Sequence, residues 1–163
     1  LTHSKQRQIL LCNTSKTGTN SSSNMGSHDD YGKQVLACAT DGACEFYGAG
    51  VEIDYGAGLP ARIDGAIHGS IAVEVESRTS KQIRGAVLDL IFHPYPKKLL
   101  ILLPVHMSNP QTAAAQCRFA MSRFVQQQDY EVIVLAGHGD NPQLAVDTEL
   151  VRSAIRKLAG NAA

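Results

Sequence analysis

Leu99, Leu100, Ile101, Leu102 and Leu103 are apolar at five consecutive positions. A strand with one buried face alternates apolar and polar residues. A run without alternation belongs to a strand covered on both faces, as in a parallel sheet flanked by helices. The chain supplies helices on either side of that run. One is expected over residues 79–92, capped by Thr79 or Ser80, with Ile83, Val87, Leu90 and Ile91 on one face. His93-Pro94-Tyr95-Pro96 stops it. Asn109-Pro110 opens another, to about residue 125, turning Ala113, Cys117, Met121 and Phe124 inward. Residues 132–136 read as a further buried strand. A last helix over 144–158 buries Leu150, Val151, Ile155 and Leu158, with Gly160 past its end.

Upstream, residues 1–30 are polar and of low complexity, and read as a flexible arm. Order is expected from a helix over 31–43, capped by Asp29 or Asp30 and burying Val35, Leu36 and Cys38 or Ala39. Residues 51–55 alternate as a strand, and Gly56-Ala57-Gly58-Leu59-Pro60 turns the chain into a hairpin. The hairpin spans 61–76 with its turn at His68-Gly69-Ser70. The expected order is α-β-β-β-α-β-α-β-α: an α/β fold with a mixed central sheet flanked by helices, forming one domain over residues 31–163.

The hairpin carries the chemistry. Ile71, Val73 and Val75 alternate with Ala72, Glu74 and Glu76, so the two glutamates share a face. Ile63 and Ile67 are expected together on one face of the preceding strand, with Asp64 and His68 opposite. Antiparallel pairing then lets Asp64 face both glutamates. Three carboxylates at the centre of a sheet repel one another and resist desolvation, which calls for a hard divalent cation with oxygen ligands. The bland alternative is a solvated hairpin face. His68 reads as a surface turn residue. His106 follows the buried strand, and Gly137-His138-Gly139-Asp140 reads as a strand end and turn.

Net charge is zero, but residues 77–123 hold seven basic residues (Arg78, Lys81, Arg84, Lys97, Lys98, Arg118, Arg123) and one acidic, Asp89. A basic block beside an acidic cluster suits a phosphodiester substrate with a metal; a solvated helix face can look the same. No apolar run is long enough for a membrane span. No basic-then-apolar leader opens the residues given, and Leu1 in place of Met suggests that the true start lies upstream. Cys12, Cys38, Cys44 and Cys117 form no metal-like spacing and read as reduced thiols of a cytoplasmic protein.

These residues resemble the PD-(D/E)xK nuclease superfamily, the fold of most type II restriction endonucleases. Its core of helix, three-strand meander, crossover helix and strand corresponds to residues 31–105. Asp64 matches the Asp of the second strand and Glu74 the acidic residue of the third, with nine residues between them. Glu76 stands where a Lys is commoner, so Glu74-Val75-Glu76 is similar to the Glu-x-Glu branch; Ile63 replaces the Pro. The resemblance implies Asp64, Glu74 and Glu76 as catalytic residues. It implies Asp64, Glu74 and Glu45 as ligands of Mg²⁺, with Mn²⁺ able to take its place. Arg78, Lys81 and Arg84 would contact double-stranded DNA, and the chain would act as a homodimer. Two alternatives stay open: a structure-selective or repair nuclease of the same fold, or a nuclease-fold protein that binds nucleic acid without cutting it.

Overall fold

The computed structural model describes residues 26–78 and 80–160. Residues 1–25 of the arm expected over 1–30, and the cap expected from Thr79, lie outside the described residues. Four helices and five strands are formed there: α1 (Gly26–Ala39), β1 (Cys44–Phe46), β2 (Gly65–Ile67), β3 (Ile71–Glu76), α2 (Ser80–Phe92), β4 (Lys97–Leu102), α3 (Pro110–Met121), β5 (Tyr130–Val134) and α4 (Leu144–Ala159).

The strands form one mixed sheet in the order β1-β2-β3-β4-β5. β1, β2 and β3 pair antiparallel, while β3, β4 and β5 pair parallel. The two parallel connections run through α2 and α3, as parallel neighbours require. Leu99, Ile101 and Leu103 pack on one side with Val35, Leu36, Val151 and Leu158, from α1 and α4. Leu100 and Leu102 pack on the other with Ile83, Leu90, Ala114 and Met121, from α2 and α3. β4 is thus covered on both faces, and its apolar run is used at every position.

Two details set the surroundings of the hairpin. His68 and Gly69 both take positive φ, 51° and 61°, and the Ser70 N–H donates to the Ile67 carbonyl at 3.1 Å. That tight reversal fixes the β2–β3 register, with Ile67 opposite Ile71 and Gly65 opposite Val73. Gly32 lets α1 lie directly on β3, since a Cβ there would stand 2.4 Å from Val75 Cγ1.

Several expectations are corrected. The first strand is Cys44–Phe46, in the connection expected after the helix; residues 51–55 hold only an isolated bridge, Ile53 to Ala61. α1 starts at Gly26, inside the stretch expected to be an arm, and ends at Ala39. Ile63 does not share a face with Ile67. It packs beneath α2 with Ile53, whereas Ile67 packs beneath α1, because the regular strand begins only at Gly65. Phe124 lies beyond the end of α3 and is exposed. Cys38 is disulfide-bonded, while Cys44 and Cys117 are free and buried. No helix among the described residues is long and apolar enough to cross a membrane.

Candidate functional site

β3 is buried along its whole length, so Glu74 and Glu76 are not on a solvated face: they are 8% and 2% exposed. Ala72, on the same face, contacts the α2–α3 layer, which places both glutamates at the end of β3 beside α2. Asp64, one residue before β2, reaches across to β3 and accepts from the Val75 N–H at 2.9 Å. Its carboxyl also lies within hydrogen-bonding reach of Glu74. Two carboxyl groups can make that contact only by sharing a proton.

Asp89, from α2, completes the surroundings of Glu74. It accepts a hydrogen bond from the Tyr55 hydroxyl and adds a second negative charge near Glu74. Burial first, then the charges of Asp64, Asp89 and Glu76, push the Glu74 carboxyl up to about 10. The Tyr55 hydroxyl is raised by burial and by its bond to Asp89. Glu74 Oε1 is buried and has no hydrogen-bond partner.

Glu76 is held differently. Arg78 clamps it with Nε to Oε1 at 2.8 Å and Nη2 to Oε2 at 3.0 Å, and the Arg78 N–H donates to Oε1 at 2.8 Å. Glu76 raises the Arg78 pKa further, with smaller contributions from Asp29 and Asp64, so a guanidinium sits at the rim of the acidic group. Asp29 Oδ1 accepts from the Ser77 hydroxyl at 2.7 Å, tying the first turn of α1 to the same strand end.

The structure therefore brings Asp64, Glu74 and Glu76 to one end of β3, with Arg78 beside them. It does not bring Glu45 there as expected. Glu45 is on edge strand β1, exposed, and paired across to Ala66; the charges acting on Glu74 are those of Asp64, Asp89 and Glu76. Lys81 and Arg84 are exposed on α2. The rest of the basic block does not form one surface. Lys97 pairs with Asp129 at 2.6 Å, Lys98 is buried and donates to the His93 carbonyl at 2.5 Å, and Arg118 donates to the Val132 carbonyl at 2.6 Å.

Sequence reasoning missed Tyr55 and Asp89. The available signal was Asp89 itself, the single acidic residue of residues 77–123. It also passed over a second group. His28, His138 and Asp140 bring one donor atom each within 4.8 Å of one another at the carboxyl end of the parallel strands. Open α/β sheets place ligands at that edge. No known protein family, curated protein or solved structure matches this chain.

Proposed function

We propose that this chain is a metal-dependent endonuclease with a restriction-endonuclease-like fold, hydrolysing phosphodiester bonds in double-stranded DNA. The observation that carries the reading is Glu74: a buried carboxyl pressed against Asp64, with one oxygen unsatisfied. The hairpin, the crossover helix α2 and the parallel strand β4 supply the element order of that fold around it.

The residues fit a hard divalent ion. Asp64 and Glu74 offer oxygen donors only, the set that suits Mg²⁺ or Mn²⁺. Asp64 and Glu74 would hold such an ion in place of the proton they share, and the unpartnered Oε1 is an oxygen available to it. When bound, it would polarise the phosphate and lower the pKa of a water. The chain's own residues do the rest. Glu76 orients the Arg78 guanidinium, which supplies the positive charge that a lysine at position 76 would otherwise bring to the phosphoryl oxygens. Lys81 and Arg84, exposed along α2, bind backbone phosphates on the approaching strand. A homodimer would place two such sites on two strands.

A second reading has its own support. Without an ion, Glu74 holds a proton against Asp64, and Arg78 neutralises Glu76, so part of the acidic charge is already offset. A binding protein that never cuts would look the same. Incubating the protein with plasmid DNA in Mg²⁺ or in EDTA separates the two. The nuclease gives fragments in Mg²⁺, none in EDTA, and none from a Glu74→Gln variant that still binds DNA. DNA retained but intact under all three conditions leaves the binding protein.

A further inference from the structure

We propose that His28, His138 and Asp140 form a site for a zinc-type divalent ion, separate from the Asp64–Glu74 pair. The three residues come from two distant parts of the chain: His28 from the first turn of α1, His138 and Asp140 from the loop after β5. Their donor atoms lie mutually within 4.8 Å. His28 Nε2 stands 3.6 Å from Asp140 Oδ2. That is long for a hydrogen bond but close to the separation of about 3.3 Å between two ligands of one tetrahedral zinc. The rings of His28 and His138 meet edge-on with centroids 5.5 Å apart.

An independent observation points the same way. His138 Nδ1 is buried and has no hydrogen-bond partner. A buried ring nitrogen left unpaired is uncommon, and a bound ion is one of the things that explains it. The loop does not need an ion to take this shape. The buried Asp147 carboxylate accepts from Ala136 N–H at 2.6 Å, Gly137 N–H at 3.0 Å and the Tyr31 hydroxyl at 2.5 Å. Gly137 admits the close turn, since a Cβ there would stand 2.4 Å from the Gln143 nitrogen. The donors are thus held together before any ion arrives.

The donor set selects the ion. Two imidazoles and one carboxylate suit zinc, cobalt or nickel, whereas Mg²⁺ and Ca²⁺ prefer oxygen throughout. Three protein ligands leave one position for water or for His106, whose ring stands 5.6 Å from that of His28. One adjustment is required: His28 Nδ1 accepts from the Gly139 N–H at 3.2 Å, and that bond must be released for either ring nitrogen to coordinate. A weak hydrogen bond is a small loss beside a coordinate bond.

The test titrates the metal-free full chain with Zn²⁺ under chelator competition, and with Co²⁺ read by its visible absorption. One tight site per chain is expected, with the intense bands of tetrahedral cobalt. Asp140 is exposed, so Asp140→Asn leaves the fold intact and should weaken zinc binding at least about tenfold. His138→Ala should weaken it further, while Glu74→Gln leaves it unchanged. The same zinc affinity in all three variants, or no binding at micromolar free zinc, overturns the proposal.

Discussion

Asp147 and Glu74 are both buried carboxyl groups at the carboxyl end of the same sheet, yet their surroundings are opposite. Asp147 is fully buried and accepts from two backbone N–H groups and the Tyr31 hydroxyl. Each oxygen has a donor, so the charge is solvated by the protein itself. Glu74 has no such donor on Oε1 and faces the carboxyls of Asp64, Asp89 and Glu76. The first carboxylate holds the β5–α4 loop against α1. The second stores unfavourable electrostatics that a proton or a cation must relieve. A fold keeps the first kind for stability, whereas the second kind marks a position available for chemistry.

The sharpest break of this contrast is in stability. Asp147→Ala removes the acceptor of two backbone N–H groups and of the Tyr31 O–H, and should cost about 3–5 kcal/mol in urea unfolding. Glu74→Gln, which mimics the protonated acid, should change stability by less than about 1 kcal/mol. An equal loss for both would make Glu74 a structural residue.

Activity should reverse the order. Glu74→Gln should lower plasmid cleavage by about 10²–10³-fold, because an amide supplies no anionic ligand for the ion. A variant that cuts at the parental rate would remove Glu74 from the reacting group.

How much of this was legible in the sequence follows from what leaves a local pattern. The Leu99–Leu103 run and the alternation over β3 dictate a two-sided strand and a shared glutamate face, because period and register are properties of neighbouring residues. Their degree of burial is not local. Glu76 reads as surface-facing by alternation, and only the packing of α2 and the clamp of Arg78 make it interior. A three-residue strand such as β1 is too short to show a period. Residues 51–55 show one because Ile53 is buried against the α2 layer while its neighbours are not. The start of α1 is hidden in Gly26 and Ser27, poor helix formers. The contacts that involve its first turn are long-range: His28 with His138 and Gly139, Asp29 with Ser77. The His28–His138–Asp140 group spans residues 110 and more apart, and no spacing rule reaches that far.

Glu76 is the intermediate case, a buried carboxylate whose partner is more than half exposed. Arg78→Ala removes two of its three bonds but opens it to water, so the loss should be about 1–2 kcal/mol. The same variant should lower cleavage while DNA binding stays measurable. A loss as large as that of Asp147→Ala would place Glu76 with the structural carboxylates instead.

The smallest effect is a slope with pH. The Glu74 carboxyl rises from an ordinary 4.5 to about 10, so between those values the native state holds a proton that the unfolded chain has released. Stability then falls as pH rises, by at most about 1.4 kcal/mol per pH unit. Two other buried groups run the opposite way. His93, lowered by burial and the Lys98 charge from 6.5 to about 4, makes stability rise with pH over that interval. Lys98, lowered by burial from 10.5 to about 8, does the same above pH 8. Among the described residues, Glu74 is the displaced group left to set the sign between pH 6.5 and 8, so urea unfolding in EDTA should show stability declining across this window. Mg²⁺ should flatten the decline, because an ion held by Asp64 and Glu74 keeps the carboxylate charged in the native state. Glu74→Gln should flatten it with or without Mg²⁺. A decline of equal steepness in Glu74→Gln would mean that another group carries it, and the difference between Glu74 and Asp147 would then lie in hydrogen bonding alone.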